Sequence, residues 1–384
     1  MQEAFFNEAV KHYHLENNRA SLPTAQGLIV LFMASAFLSR DGAAASYRNL
    51  GYDMIDRLQI DNKFSTTTDE AEIKAYSTAL WGIYCCENIV ANLHNKRPER
   101  QAPTLPRLFE RKSAVPDNDF ENVDIFGQPF TSSSYRPSFT PGVLNAACDL
   151  AVLQHAVINH NFDVRENGAS DNFGMRLQQY RTLQKWESKV PPELRNDINN
   201  TPGTAFLSVH CDIIALFILR PLDPRTVLPG EGTSLGLRIM HCQRIITLVE
   251  NHFRDHLAGD YSTLFLAGLF HACLTLIPSL SSAVSAELFT RAAMLLHRTV
   301  VDLPGMRQIL RGVQAVVWGM RKSLPEGARA SFEQIEPPSD TVESDPDAGV
   351  KDLQGLQGRL GEMIELWEED QEQLSARIGS NRHL

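Results

Sequence analysis

Histidine and cysteine side chains occur as close neighbours at three places in this 384-residue chain, and these residue types could bind a metal ion. Zinc requires such ligands to converge tetrahedrally. Adjacent residues on a helix diverge by about 100°, so an adjacent pair cannot hold one ion, and ligands would have to come one from each helix. We therefore expect buried or boundary side chains and no metal site. The three places are His210-Cys211, His241-Cys242, and His271 with Cys273.

The stretch ALWGIYCCENIVANLHNKRP, residues 79–98, carries the densest group of reactive side chains. A catalytic cysteine needs an activating group nearby. His94 lies about two helical turns from Cys86, too far to activate it within one helix. A disulfide between the neighbours Cys85 and Cys86 would be strained. The spacing therefore predicts no catalytic residue.

Glu87 ends an apolar run and is expected to be partly buried. A buried carboxylate must be paired or protonated. Its partner could be Arg97, an arginine on another helix, or a backbone N–H group. We expect a structural ion pair and no acid catalysis. The chain also has no phosphate-loop, dinucleotide-binding, GxSxG, HExxH or EF-hand spacing. The sequence therefore predicts neither an enzyme nor a cofactor-binding residue.

The composition is that of a globular protein, with 43% hydrophobic and 21% charged residues. The net charge is −10, and the part from Glu326 onward holds 14 acids and 5 bases. The remainder is nearly neutral and predicts no broad basic surface for nucleic acid. Six cysteines without a CxxC motif indicate buried thiols in an intracellular protein. The longest apolar run, 28–38, is too short to span a bilayer, and we expect no signal peptide and no membrane partner.

The hydrophobic periodicity predicts an all-α fold of helical hairpins, in a solenoid-like arrangement without a fixed repeat. Residues 96–138 are rich in proline and polar residues and are expected to form a long loop. Ser21, followed by Leu22 and Pro23, is a typical helix start. The predicted helices cover about 22–39, 43–60, 69–94, 141–161, 171–188, 204–219, 232–256, 261–279, 285–301 and 306–322.

The C-terminal part differs in composition from the rest. Residues 326–350 are acidic and poor in large apolar side chains, which predicts a disordered linker. Residues 351–377 have apolar side chains three or four apart and predict an amphipathic acidic helix. Such a helix could dock in a coactivator groove or fold back onto the body, and both alternatives stay open. Its candidate partner-binding residues are Leu360, Met363, Leu366 and Trp367.

Four segments, in order, resemble the fungal-specific transcription factor domain, the middle homology region of fungal zinc-cluster transcription factors. LPTAQGLIVLF (22–32) resembles its first helix, and ASYRNLGYDMIDRLQID (45–61) the helix that follows. LWGIYCCENIVANLHNKRP (80–98) resembles the family signature, and VHCDIIALFILRPL (209–222) a later helix. The matching positions, which we expect to be structural, are Gln26, Gly51, Trp81, Tyr84, Glu87, Arg97, Pro98, His210, Arg220 and Pro221.

The sequence departs from the family pattern at several positions. Thr78 stands where the family has a basic residue, Asn88 follows the acid, and Lys96 precedes Arg-Pro, with Asn95 as a candidate for the left-handed helix end. The six cysteines are scattered and cannot be the family's zinc-binding array. Zinc is thus implied only for the family's missing N-terminal cluster. The chain would be a fragment, a truncated gene model, or a regulator without DNA contact of its own.

The resemblance implies that residues 1–325 are the regulatory domain of a transcription factor in the nucleus. It would regulate RNA polymerase II transcription by binding coactivator or corepressor proteins or a small-molecule effector, and it could form a homodimer. DNA would be reached only through a missing module or a partner. One alternative is a helical protein-binding scaffold outside transcription. Another is a small helical enzyme with an unrecognised pocket, for which clustered His210, His241 and His271 would be the sign.

Overall fold

The computed structural model describes residues 2–108, 142–167, 173–255, 263–300, 303 and 305–333, apart from Asn18, Ser39 and Asn95. These residues form an all-α fold, which confirms the predicted class. The thirteen helices of these ranges are α1 Gln2–Leu15, α2 Leu22–Phe37, α3 Asp41–Leu58, α4 Ile60–Thr66, α5 Glu70–Leu93, α6 Val143–Asn167, α7 Phe173–Lys189, α8 Pro202–Leu219, α9 Ser234–Asp255, α10 Thr263–Leu276, α11 Ala283–Thr299, α12 Met306–Gly319 and α13 Glu326–Glu333.

Local signals explain where the helices of the signature region begin. The Ser21 hydroxyl accepts a hydrogen bond from the Thr24 N–H at 3.2 Å, and Pro23 occupies the first turn of α2. The Asp69 carboxylate accepts from the Ala71 N–H at 2.9 Å at the start of α5. Each side chain satisfies a backbone donor that has no partner within the helix. These two helix starts agree with those predicted.

Several elements were not predicted from the sequence, among them the short helix α4. Helix α1 forms at the N-terminus, where Phe6 is buried and its ring lies edge-on to that of Tyr47. A two-stranded hairpin pairs β1, Val227–Leu228, with β2, Gly232–Thr233. Helix α13 covers the first residues of the predicted linker 326–350, so that prediction was wrong for its first eight residues. Residues 334–384, with the predicted helix 351–377, lie outside the described residues.

The chain divides into two compact units, whereas the sequence predicted one domain over 1–325. The first unit comprises Met1–Asp171, Lys185–Ser208 and Asp302–Gly305. Its main core lies among α2, α3 and α5, where Leu28, Met54 and Ile83 are buried. A second cluster joins α5 to α6 through Tyr84 and Cys148. Amphipathic helices cannot bury an apolar stripe alone, and this packing supplies the partner surface.

The second unit comprises Asn172–Gln184, Val209–Val301 and the chain from Met306 onward. Its core is apolar around α10, where Leu269 and Leu276 are fully buried. Helix α13 is held by Phe332, whose ring stacks on Phe289 of α11 at a centroid distance of 6.2 Å. Ala328 is also buried. These apolar contacts explain why 326–333 is ordered despite its acidic neighbourhood, since burial outweighs the low hydrophobicity of the segment.

Among the described residues, α8 is one helix that is long and apolar enough to cross a membrane by length and composition. In the structure, 78% of its apolar window is buried inside the protein. The polar side chains of His210 and Asp212 in this helix are buried as well. A core helix of a protein without membrane contact passes the same test, so α8 carries little information about membranes.

Close helix packing depends on glycine at two positions, one in each unit. A β-carbon on Gly268 of α10 would lie 2.8 Å from Val209 Cγ1 and 3.0 Å from Ile245 Cγ2. These atoms belong to stiff β-branched side chains. A β-carbon on Gly51 of α3 would meet Ile29 Cδ1 at 2.9 Å, at the flexible end of that side chain.

We expect Gly268→Ala to lower the free energy of unfolding of the second unit by about 1–3 kcal/mol, through overpacking. Gly51→Ala should cost less, because Ile29 can move its terminal methyl group. Gly27 on α2 is the control, since a β-carbon there meets nothing within 4 Å. Gly27→Ala should stabilise by roughly 0.5–1 kcal/mol through helix propensity. Urea unfolding followed by circular dichroism measures all three. Equal effects at Gly268 and Gly27 would contradict the close approach.

Candidate functional site

Helix α5 positions the residues of the signature stretch around a buried aromatic pair. Trp81 and Tyr84 lie one turn apart, with ring centroids 5.8 Å apart and ring planes at 88°. The Trp81 Nε1–H donates to the Leu105 carbonyl at 3.0 Å, and the Arg107 guanidinium lies 4.4 Å from the ring centroid. Burial raises the pKa of Tyr84 to about 12. Both rings are buried and pack against each other.

The segment after α5 is bound to this helix along part of its length, although 96–138 was predicted as a surface loop. The Ser77 hydroxyl donates to the Pro106 carbonyl at 2.6 Å and accepts from the Leu108 N–H at 3.0 Å. Leu105 is buried in the same region. Residues 96–108 thus pack on α5, while 109–138 lie outside the described residues.

Glu87 is fully buried, and its carboxylate holds three groups together. Arg48 of α3 donates to it through Nη2 at 2.9 Å and through Nε at 3.3 Å. The Tyr52 hydroxyl donates to the same carboxylate. The backbone N–H of Glu99 donates to Oε1 at 2.8 Å. The partner is therefore an arginine of another helix together with a backbone N–H, two of the three predicted alternatives.

Arg97 has other partners, so the alternative that it pairs with Glu87 was wrong. Its guanidinium binds Asp163 at 2.9 Å and Glu166 at 3.0 Å, both on α6. The Arg97 side chain is 40% exposed, and such a pair contributes little to stability. Pro98 is buried directly after it. The ion pairs of Arg97 connect the segment after α5 to α6.

Electrostatics fixes the protonation of the Glu87 network. Burial, followed by the Glu87 charge, holds the pKa of Tyr52 well above its usual range. Burial on its own would lower the pKa of Arg48, but Glu87 and Tyr52 raise it above the ordinary value. The phenol therefore stays protonated and the guanidinium stays charged at neutral pH. A network in which Arg48 and Tyr52 keep their protons is suited to positioning helices.

Asn88, which departs from the family pattern, has partners of its own. Its amide donates to the Tyr84 carbonyl at 2.9 Å, and its oxygen lies 3.1 Å from Nδ1 of His155 on α6. Burial lowers the pKa of His155, and the nearby Glu87 charge opposes that effect. The Lys96 N–H closes the end of α5 on the Ala91 carbonyl at 2.8 Å. Asn95 lies outside the described residues.

The second unit contains a buried polar chain that was not predicted. Asp212 of α8 lies 2.7 Å from Nδ1 of His241 on α9, and the His241 Nε2 lies 3.0 Å from the hydroxyl of Tyr180 on α7. Arg244 contacts the same carboxylate oxygen at 3.3 Å. All of Asp212, His241 and Tyr180 are at least 95% buried. This chain of hydrogen-bonded side chains joins α7, α8 and α9, and its three members are shielded from solvent.

The three histidines proposed as a sign of an enzyme lie on successive helices, α8, α9 and α10, and all are buried. His271 packs edge-on against Phe217 at 4.9 Å, whereas His241 is bound by Asp212 and Tyr180. Within the described ranges, no group of three or more histidine, cysteine, aspartate or glutamate side chains could hold a metal ion. The six cysteines, which all lie in the described ranges, form no disulfide, and burial raises the pKa of Cys242 to about 12.

The remaining family-motif positions are spread over the surface and the core. Gln26 is exposed on α2, and Gly51 is buried where α3 approaches that helix. His210 is buried in α8, and burial lowers its pKa to about 3. The Arg220 guanidinium lies 4.9 Å from the Phe217 ring centroid, and Pro221 is half-buried. Leu360, Met363, Leu366 and Trp367 lie outside the described residues.

The sequence did not predict the buried polar contacts of four side chains, which are those of Asp212, Arg48, Tyr52 and Tyr180. Asp212 is the one acid of the apolar helix α8. An acid next to apolar residues was also the signal that predicted a partner for Glu87 in α5. Arg48 and Tyr52 lie one turn apart on α3, a spacing that places both on one face. That spacing alone does not name their partner. Tyr180 gave no signal, because a tyrosine on an amphipathic helix is ordinary.

The comparisons with known proteins give one informative similarity. No protein-family model matches the chain, and no solved structure matches it. The chain is 26% identical over 237 residues to a protein of Aspergillus versicolor, with 60% of this chain covered. The chain covers 37% of that protein's length. The relative is named the notoamide biosynthesis transcriptional activator notL', and this all-α chain is thus distantly similar to a fungal transcriptional activator.

Proposed function

We propose that this chain is a regulatory region of a fungal transcription factor and acts on RNA polymerase II transcription in the nucleus. The observation that carries the proposal is the 26% identity with a fungal transcriptional activator over 237 residues. The order of motifs that resemble the fungal-specific transcription factor domain adds support. In this proposal DNA is reached through a module outside the described fold or through a partner protein, and zinc belongs to that module.

The local chemistry supports a regulatory role over an enzymatic one. Glu87, Arg48 and Tyr52 form a buried ion-pair network in which Arg48 and Tyr52 keep their protons. The Asp212–His241–Tyr180 chain is likewise buried. Both networks connect helices, and such polar contacts favour one defined arrangement of the helices that a partner or effector could recognise. The partners in this proposal are coactivator or corepressor proteins, with a small-molecule effector and a homodimer as further options.

The acidic C-terminal segment is the proposed contact with coactivators. Leu360, Met363, Leu366 and Trp367 lie among acidic residues at spacings that would place several on one helix face. An amphipathic helix of this kind binds by laying its apolar face in a hydrophobic groove. The alternative is that the segment docks on the body of its own chain.

A reporter assay tests the proposal. The full chain is fused to an unrelated DNA-binding domain, and a reporter gene carrying its sites is measured in fungal cells. We expect reporter output from the fusion to differ clearly from the output of the DNA-binding domain alone. The direction of the change distinguishes activation from repression. An unchanged output from a nuclear, well-expressed fusion would count against transcriptional regulation.

A matched pair of variants separates the acidic segment from the rest. Leu366→Ala with Trp367→Ala should abolish most of the reporter change if the segment recruits a coactivator, because two anchor side chains are lost. Gln373→Ala in the same segment is the control and should have little effect. Localisation of the tagged full chain distinguishes the alternative function. Exclusion from the nucleus would favour a helical protein-binding scaffold outside transcription.

A further inference from the structure

Two cysteines from different helices meet in the core of the first unit. Cys85 of α5 and Cys148 of α6 have their sulfur atoms 3.7 Å apart, with the Cys85 thiol donating to Cys148. This is close to the contact distance of two sulfur atoms. Cys85 is 8% exposed and Cys148 is fully buried. The residues are 63 positions apart in sequence, so only the packing of α5 on α6 brings them together.

The surroundings make the two thiols chemically unequal. Arg107 lies in the segment 96–108 that packs on α5. Its guanidinium binds the carboxylate of Asp149, the neighbour of Cys148, at 2.5 Å. The hydrogen bond from Cys85, followed by the Arg107 charge, lowers the pKa of Cys148 against the effect of its burial. The same hydrogen bond and burial raise the pKa of Cys85. Cys148 therefore loses its proton more readily than Cys85. A cation near a thiol is typical of reactive cysteines.

We propose that Cys85 and Cys148 are a modification site that forms a reversible disulfide with a peroxide as oxidant. The Cys148 thiol releases its proton, and its sulfur attacks one peroxide oxygen. An S–O bond forms, the O–O bond breaks, and the leaving hydroxide takes up the released proton to become water. The Cys85 thiol then loses its proton and its sulfur attacks the Cys148 sulfur. An S–S bond forms, the S–O bond breaks, and the leaving hydroxide takes up that proton as a second water. Two thiols and one hydrogen peroxide thus give one disulfide and two waters.

Access and geometry are compatible with this step. Helix α6 begins at Val143, so Cys148 lies near its N-terminal end, where helices open most readily. A disulfide requires the sulfur atoms to approach to about 2.05 Å, a movement that the contact between neighbouring helices can supply. Oxidation would tie α5 to α6 beside the Trp81 and Tyr84 pair. A thiol reductant would restore the separate thiols.

Cys86 provides a matched comparison. It is adjacent to Cys85, but its sulfur points to Met33, whose sulfur lies 4.0 Å away on α2. Burial raises the pKa of Cys86 to about 11. It therefore lies on another face of α5 and has no cysteine partner among the contacts of the described residues. A linkage through Cys86 instead of Cys85 would show that chemical reactivity, and not the observed contact, selects the partner.

The test uses the purified full chain treated with hydrogen peroxide and then with an alkylating agent. Mass spectrometry of peptides should identify a link between the Cys85 region and Cys148, with loss of two hydrogen atoms, and dithiothreitol should reverse it. Because Cys85 and Cys86 fall in one peptide, variants assign the link. Cys86→Ser should retain it, whereas Cys85→Ser and Cys148→Ser should reduce its yield at least about tenfold.

Several outcomes would overturn the proposal. One is a link that survives in Cys85→Ser and disappears in Cys86→Ser. Another is oxidation of Cys148 to sulfinic acid in the unsubstituted chain without any link. A third is a link between other cysteines at equal yield, such as Cys211, Cys242 or Cys273. Circular dichroism of each variant before oxidation shows whether the variant is folded. If Cys85→Ser or Cys148→Ser does not fold, the link in the folded Cys86→Ser protein still assigns the partner of Cys148.

Discussion

Acidification from about pH 7 to about pH 4 is expected to destabilise the second unit by at least about 3 kcal/mol, because buried His210 must stay neutral in the folded state, and His271 adds to the loss in the same direction. Burial lowers the pKa of His210 to about 3. Burial, followed by the Arg220 charge, holds the pKa of His271 well below its usual range. In the unfolded chain both would take up a proton near pH 6.5. Each histidine then costs roughly 1.4 kcal/mol per pH unit.

The sign of this effect follows from the lowered folded pKa values. Above about pH 6.5 both states hold a neutral imidazole, and the contribution to stability is fully present. As the pH falls toward the folded pKa of about 3 for His210, the unfolded chain binds protons that the folded chain does not, and stability is lost. The expected loss is a large part of the whole stability of an ordinary domain, which is roughly 5–15 kcal/mol.

Urea unfolding at a series of pH values, followed by circular dichroism, measures this prediction. His210→Gln and His271→Gln should each reduce the slope of unfolding free energy against pH by about one proton. The slope is informative even where a variant is less stable at neutral pH. His12→Gln is the control, because the His12 side chain is 71% exposed in α1. An unchanged slope in both buried variants would contradict the role of burial.

Replacement of Glu87 by alanine is expected to cost about 3 kcal/mol or more of unfolding free energy in the first unit. Glu87 is fully buried, and its removal leaves the Tyr52 hydroxyl and the Glu99 N–H without their acceptor. Arg48 keeps its contact with the Glu99 carboxylate at 3.0 Å, but that carboxylate is 56% exposed and pairs more weakly than Glu87. A buried polar group left without its partner costs more than the lost attraction itself. The Arg48 side chain is 19% exposed, which keeps the expected value at the lower end of the range for buried pairs.

Two further variants identify the cause of this loss. Glu87→Gln keeps the shape and one acceptor oxygen, so it should cost less than Glu87→Ala but more than a surface change. Arg97→Ala is the matched control on the same segment, because its ion pairs with Asp163 and Glu166 are exposed. It should cost less than about 1 kcal/mol. Thermal unfolding of the four proteins ranks them. Equal costs for Glu87→Ala and Arg97→Ala would show that the buried network contributes little.

Helix positions were predictable where the cause is local. The start of α2 follows from Ser21 and Pro23, and the start of α5 follows from Asp69, because a cap and its helix lie within one turn of each other. Helix α13 was missed, because its order depends on Phe332 packing against Phe289 of another helix. The composition of 326–333 by itself indicates a linker, and only a long-range contact reverses that expectation.

The sequence by itself determined the all-α class, the buried aromatic pair Trp81 and Tyr84, and the need of Glu87 for a partner. These follow from periodicity and from the cost of burying a charge, which are properties of a segment and its own side chains. The tertiary structure alone decided that Arg48 and Tyr52 are the partners of Glu87, and that Cys85 meets Cys148. The physical reason is that these partners are 35 to 63 residues apart and share no local pattern. Their contacts are set by which helix faces pack together.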